Sequence, residues 1–350
     1  MSELFSNRVL STIQSDHLPK VVDTALDKNV MFQRSVRVAK KFEGRKIEQP
    51  VKFEKNSTFG YFAGGSTHDT TITNNRVKME YFPRFTSITS HLTVDELAVA
   101  VNAGDQEIIK YLDVTLQSDV EDMADSLGTE YFTADASTVA GLTKFTGLAA
   151  GVDDGGAVAN IGGLSRSTYT TLQATDTSGS AGLSLALMDT AWNAASFGSS
   201  EPTILPTTRA IFSLYGQLVG DTLRTNRQVT AAPVANGKGM IGGLGFTGLD
   251  YKGRAVVADP KEVSGLLHML NEDNIQFYAM EKWPDAEPVR YKSQIDGNDY
   301  SDVMGLGFHF GGWIKSQNSS DRVAFWYFAG EWVHKSPRTQ VELNTITALA

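Results

Sequence analysis

The feature that most restricts the fold is a run of twenty residues, NSTFGYFAGGSTHDTTITNN (56–75), held between two segments of alternating pattern. On one side, in RKIEQPVKFEK (45–55), Ile47, Val51 and Phe53 sit at even spacing; on the other, in RVKMEYFPRF (76–85), Val77, Met79 and Tyr81 alternate with charge. A period of two predicts strands, so 45–92 reads as a long β-ribbon with an extended tip. A loop of ~20 residues inside a compact domain is uncommon and is usually functional or mobile. Phe59, Tyr61 and Phe62 lie beside Gly64 and Gly65, a combination that suits a surface docking on something else. The alternative is a satellite cluster packed on its own domain.

Helical spacing follows the ribbon. Thr93 and Glu96 have capping-box spacing, with Asp95 in the first turn. Leu97 and Val101 begin an apolar stripe, Asn102–Asp105 interrupts it, and Ile108, Leu112, Leu116, Val120, Met123 and Leu127 resume it mostly at i, i+4. Gly128 is the expected C-cap. Residues 94–130 carry ten acidic side chains against Lys110 alone, whereas residues 1–55 carry eleven Lys and Arg against seven Asp and Glu. A basic arm and an acidic helix in one chain can attract each other between copies; two unrelated solvated faces are the plainer alternative. Candidate contacts are Arg34, Arg37, Lys40 and Lys41 on the arm and Asp119, Glu121 and Asp122 on the helix. Within the arm, residues 18–38 read as weakly helical, with Val21, Val22, Leu26, Val30 and Met31 too few for a stable core helix without a partner surface.

Residues 133–182 are rich in Gly, Ala, Ser and Thr and read as a link to a second, α/β lobe. That lobe is expected to hold a helix over 183–196 with Leu185, Met188 and Trp192 on one side, a strand region over 203–212, a helix over 213–224, and turn–strand units over 245–259 and 266–277. Alternating aromatics from Phe308 to Trp332 predict antiparallel strands returning to the first lobe.

The net charge of −9 argues against a dedicated DNA-binding protein. Cysteine is absent, which removes disulfides, thiolate metal sites and cysteine nucleophiles. No apolar run approaches the ~20 residues needed to cross a bilayer, and the N-terminus lacks a basic-then-apolar signal pattern, so a cytoplasmic protein is expected. Gly243, Gly245 and Gly248 spell G-x-G-x-x-G, but a loop precedes them and a strand-like run follows, the wrong context for a dinucleotide site. The six histidines have no ligand-spaced companions, and Asp153–Asp154 lacks the remaining calcium-loop ligands. Arg209 reads as a strand residue that is either an ion-pair partner or a surface charge. No catalytic, cofactor or metal residue is assigned, and the chain is not expected to be an enzyme.

The order of parts, together with KFEGRKIEQPVKF (41–53), VDDGG (152–156) with GGLSRS (162–167), and LDYKGRAVVAD (249–259) followed by HMLNED (268–273), resembles the major capsid proteins of tailed bacteriophages, a fold shared with encapsulins. Arg254–Ala255 departs from the family's phrase, which has a proline there. The resemblance implies an α+β capsid fold with an N-arm (1–45), an E-loop ribbon (46–92), a P-domain (93–145 and 303–350) built on a spine helix (94–127), and an A-domain (146–302). It implies hexamers and pentamers in an icosahedral virion head around double-stranded DNA held non-specifically. Expected partners are a portal, a separate scaffolding protein (since ~45 residues before the ribbon leave no room for a built-in one), and a decoration protein, with assembly in the host cytoplasm and no membrane. Self-crosslinking members of the family make Lys52, Lys55 and Lys78 worth testing. The competing readings are an encapsulin shell and, from another class, a β-rich carbohydrate-binding or adhesin-like protein.

Overall fold

A computed structural model describes residues 29–95, 98, 105–139, 142–178, 182–222, 249–280, 287–288, 308–315 and 321–349. The glycine run 243–248, Glu96 of the expected capping box, residues 97 and 99–104, and the arm before residue 29 lie outside the described residues.

Two sheets of six strands dominate. The first runs β1 (Lys40–Phe42), β14 (Ile275–Met280), β17 (Arg322–His334), β16 (Phe308–Lys315) and β15 (Glu287–Pro288), with β4 (Arg84–Leu92) also on β17. β17 is the spine of this sheet. Its first part pairs antiparallel with β4 over nine positions, Arg322↔Leu92 to Gly330↔Arg84, and its last part pairs with β14 from Gly330↔Ala279 to His334↔Ile275. Side chains from alternate positions of β17, such as Ala324, Trp326 and Phe328, therefore face one core. The second sheet runs β11 (Leu249–Tyr251), β12 (Arg254–Ala258), β10 (Ile204–Thr207), β13 (Leu267–Met269), β18 (Val341–Asn344) and β9 (Thr175–Ser178). It buries Leu205, Met269 and Leu343 against helix α4 (Leu185–Ala195) and helix α5 (Arg209–Thr222). Short hairpins β5–β6 (Thr138–Val139, Leu142–Thr143) and β7–β8 (Asn160–Ile161, Leu164–Ser165) and a turn of helix, α3 (Leu148–Gly151), lie between.

The two sheets do not follow the linear division drawn from the sequence. β14, expected in the second lobe, joins the first sheet, and β18, expected in the first, lies between β13 and β9 in the second. The strand expected over 203–212 stops at Thr207. Thr208 then starts a helix, its hydroxyl accepting from the Ile211 amide at 3.4 Å and its carbonyl from the Phe212 amide at 2.9 Å. Arg209 stands exposed in the first turn of α5 rather than in a strand.

The long helix α2 covers Asp105–Thr133, 29 residues or ~43 Å. It passes straight through Gly128, which is therefore not a cap. A Cβ there would stand 1.1 Å from Asn29 Nδ2, so the missing side chain is what admits Asn29 against the helix. Asn29 in turn caps helix α1 (Val30–Arg37), accepting from the Phe32 amide at 3.1 Å. The segment expected to need a partner surface thus finds one in the same chain: Val30, Met31, Phe32 and Val36 are all buried. The buried carboxylate of Asp259 accepts from the Val30 and Met31 amides at 3.1 and 2.9 Å, seating a negative charge at the helix N-terminus. The signal was missed because every partner is distant in sequence.

Trp332 is the hub of the first core. It is fully buried, and the rings of Phe277, Phe145, Tyr131 and Phe32 surround it at centroid distances of 5.1, 5.3, 5.5 and 6.2 Å. β14, the 133–148 connection, α2 and α1 all meet there.

Candidate assembly surface

The ribbon is a two-stranded antiparallel hairpin, β2 (Ile47–Lys52) on β3 (Arg76–Tyr81), in register from Ile47↔Tyr81 to Lys52↔Arg76. One face is apolar. Near the root, Ile47, Met79 and Tyr81 are buried with Ile161, Leu172 and Val333. Farther out, the Phe53 and Tyr169 rings meet edge-on at 5.1 Å. The other face is a charge ladder: Lys46 reaches Glu48 and Glu80 at 2.6 Å each, and Lys78 reaches Glu48 at 2.9 Å. Hydrogen bonds from Lys46 and Lys78 pull the Glu48 carboxyl down to about 2, so Glu48 stays ionised across the ordinary pH range.

The root is clamped to the rest of the chain. Tyr81 donates its hydroxyl proton to the His334 carbonyl at 3.0 Å, and the Glu80 amide donates to the Gly162 carbonyl at 2.8 Å. Gly162 has φ +54°, and a Cβ on it would stand 2.6 Å from Met79 Cβ, so glycine is required for that close approach. Phe82 and Pro83 then link β3 directly to β4.

The tip has internal order without burial. Asn56 Oδ1 accepts from the Thr58 amide and hydroxyl at 3.1 and 2.8 Å and from the Thr73 hydroxyl at 3.1 Å, closing the neck. Asp69 accepts from the Thr71 amide and hydroxyl at 2.9 and 2.6 Å. Beyond this neck Phe59, Tyr61 and Phe62 are 85%, 99% and 70% exposed, so they do not form a satellite cluster on their own domain. Ile72, which sequence reasoning passed over, lies in the same tip and is 96% exposed. Its signal was visible: a lone aliphatic side chain in the polar run Thr70–Thr73. Gly64 and Gly65 stand in open space at the tip, Gly65 with φ +89°. Three rings and an isoleucine exposed within one 20-residue tip, with the Phe59 and Tyr61 rings edge-on at 6.1 Å, are apolar surface of the kind that marks an interaction site.

The charged candidates separate. Arg34 is turned inward: its Nε and Nη2 form a bidentate pair with Glu272 at 2.9 Å each, inside the same chain. Arg37 lies in α1, and its side chain is outside the described residues. Lys40 and Lys41 are exposed on β1, an edge strand parallel to β14. Asp119 accepts from the Ser90 hydroxyl of β4 and so faces its own sheet, while Glu121 is half-buried and Asp122 exposed. Farther along α2, Asp125 pairs with Lys261 at 2.7 Å, again within the chain. None of these charges stands at the aromatic tip.

The buried polar groups are structural partners of one another. Arg166, with no exposed side-chain surface, donates to Asp153 at 2.9 Å and to the Ala150 carbonyl at 2.5 Å. Asp153 also accepts from the Gly155, Ala157 and Val158 amides, so it organises its own loop. His268 sits between Glu262 at 3.1 Å and Glu342 at 3.4 Å. Burial works against its charge, but the two carboxylates win and push it up to about 10. Among the described residues no group of three or more His, Asp or Glu side chains is arranged to hold a metal, and no described helix is long and apolar enough to cross a membrane.

No protein-family model and no curated protein matches the chain by sequence. Solved structures do match. The capsid asymmetric unit of cyanophage A-1(L) superposes with a TM-score of 0.69 at 15% identity, over 96% of this chain and 97% of that one. The holo-SrpI encapsulin of Synechococcus elongatus PCC 7942 superposes with a TM-score of 0.55 at 11% identity, over 99% and 96%. The capsid of a native GTA particle does so with a TM-score of 0.55 at 11% identity, over 96% of each chain. The clamped ribbon, the long helix and the two sheets are therefore an instance of the capsid fold that tailed-phage heads and encapsulin shells have in common.

Proposed function

We propose that the chain is the major capsid protein of a tailed-phage head, assembling as hexamers and pentamers into an icosahedral shell around double-stranded DNA. The observation that carries this reading is the ribbon: a root buried in its own chain and a tip whose aromatics touch only one another and His68 and stay exposed. A side chain such as Tyr61 that is 99% exposed gains ~1.5–3 kcal/mol when a neighbour covers it, and a stable contact of this kind buries above ~1,000 Å². Repeated around a ring, such contacts add up to a strong shell.

In this reading the β2–β3 hairpin with its tip is the E-loop, with β4, the last part of the expected 46–92 ribbon, in the first sheet; α2 is the spine helix, and the residues before α1 are the N-arm. The P-domain is the first sheet with α2, and the A-domain the second sheet with α4 and α5. A portal, a separate scaffolding protein and a decoration protein are the remaining partners. The phage-head reading is preferred over the encapsulin reading because the cyanophage capsid superposes at 0.69 and the encapsulin at 0.55.

The test is assembly. The purified chain, alone and with a scaffolding protein, is followed by light scattering and electron microscopy. Closed megadalton particles support the reading, and a chain that stays monomeric in both conditions overturns it. Particle contents then separate nucleic acid from protein cargo. Deleting residues 56–75 is expected to leave a folded chain that forms no closed shells.

A further inference from the structure

The register of the ribbon sets Lys52 directly opposite Arg76 at its last rung, beside the neck of the tip. Exposure alternates along β2 and β3, so both side chains stand on the solvent face with Glu48, Lys78 and Glu80. Toward the root that face is neutralised, since Lys46, Glu48, Lys78 and Glu80 form one closed network. Beyond it the balance ends. Lys52 and Arg76 are exposed, and among the described residues neither has an ion pair or a side-chain hydrogen bond. Glu54, the nearest acid in sequence, pairs with neither, and Lys55 adds another exposed cation. Like charges placed directly opposite each other weaken a hairpin, so this rung is favourable only when something acidic covers it.

The chain itself carries such a surface. On α2 the positions Ser118, Asp122, Ser126 and Thr129 are exposed along one side of the helix, and Glu121 and Glu130 flank them half-buried. After Lys110 the helix has no Lys or Arg at all. Arg34, on the arm expected to meet this helix, is held by Glu272, whereas the ribbon does offer cations. Within one chain no ion pair joins the rung to the described side chains of α2. We propose that the Lys52–Arg76 rung docks on the acidic stripe of α2 in a second copy and so orients the tip for its apolar contact. This inference rests on the shell reading and names the partner of the same ribbon. Cations and acids lie on different elements, so each copy gives its rung to one neighbour and its helix to another, a head-to-tail contact that closes rings. An exposed charge contact of this kind acts on encounter and register more than on final strength, and salt screens it.

Assembly of the full chain with scaffolding protein, followed by light scattering from low to high salt, tests it. The wild-type rate is expected to fall about tenfold as salt rises through the physiological range. Lys52→Glu with Arg76→Glu is expected to slow assembly about tenfold at low salt and to flatten that dependence. Adding Asp122→Lys and Ser126→Lys to the same chain is expected to restore the rate. All four side chains are exposed, so the unfolding midpoint should not move. In particles mixed from light and heavy-isotope copies, a zero-length carbodiimide is expected to join Lys52 to Glu121, Asp122 or Glu130 of another copy.

A Lys52→Glu, Arg76→Glu chain that assembles at the wild-type rate overturns this inference and leaves the shell reading standing. So does a rescue variant no faster than that chain, or a Lys52 crosslink to other acids only. Unchanged assembly with loss of packaged nucleic acid would give the rung to a polyanion and equally overturn the inference. A chain that assembles at no salt concentration overturns the shell reading and this inference together.

Discussion

Asn29 occupies the space that a side chain on Gly128 would fill, and the two residues meet where the first helix crosses the long one. The contact is as tight as a helix–helix approach allows, with a Cβ on Gly128 placed 1.1 Å from Asn29 Nδ2. Gly128→Ala is therefore expected to push Asn29 out of place despite alanine's better helix propensity. The loss of the cap on Phe32 and the strain around it should cost ~1–3 kcal/mol, read from the midpoint of urea unfolding. Asn29→Ser keeps a capping hydroxyl and shortens the side chain, so in the Gly128→Ala background it should recover part of that loss. A double-mutant cycle with no coupling between the two positions would refute the contact.

Asp259 holds the other side of the same helix. Asp259→Ala removes the acceptor for the Val30 and Met31 amides and leaves both buried and unpaired. A loss of ~2–4 kcal/mol is expected, with faster proteolysis around residues 29–38. Cleavage kinetics equal to wild type would mean that α1 is held by its apolar face alone.

The tip should behave in the opposite way. Phe59→Ser, Tyr61→Ser, Phe62→Ser and Ile72→Ser combined remove no buried contact in the single chain, since all four side chains are exposed. The unfolding midpoint of the unassembled protein should stay within ~0.5 kcal/mol of wild type while shell formation fails. Normal assembly of this variant would show that the tip is not the contact.

The two buried histidines of known partners predict opposite pH limits. His268 is raised to about 10 from 6.5 by its carboxylates, so its contribution to stability is complete below about pH 6.5 and is lost as pH climbs through about 10. His334 is lowered to about 4 by burial, so its contribution is complete above about pH 6.5 and is lost as pH falls through about 4. Glu331, raised to about 8, adds to the alkaline loss. In thermal melts, His268→Asn should flatten the fall in Tm on the alkaline side relative to wild type. It should leave the acid side, governed by His334, unchanged.

How much of this was legible in the sequence depends on how local the cause is. Ile47, Val51, Val77, Met79 and Tyr81 declare a ribbon because strand alternation is a property of neighbours two apart, and the polar run between them declares a tip. Met123 and Leu127 likewise declare a buried helix face. The end of that helix was misread at Gly128 because the residue that explains the glycine, Asn29, is remote in sequence. Arg34 looked free for the same reason: its partner, Glu272, is 238 positions away. The exchange of β14 and β18 between the sheets is a matter of long-range pairing that no periodicity records. Of the docking candidates, the apolar tip could be read from composition, whereas the charged ones could not, because a surface lysine and an internally paired arginine look alike in sequence.

The nine-position pairing of β4 with β17 has a mechanical consequence. A pull on the ribbon along its axis reaches the core through Phe82 and Pro83 into β4, which lies lengthwise against β17. The load falls on the rungs of that ladder side by side, so they must give way together rather than open one at a time from an end. The longest of the described strands, anchored at Trp332 in the main core, thus acts as the beam to which the outreaching ribbon is riveted.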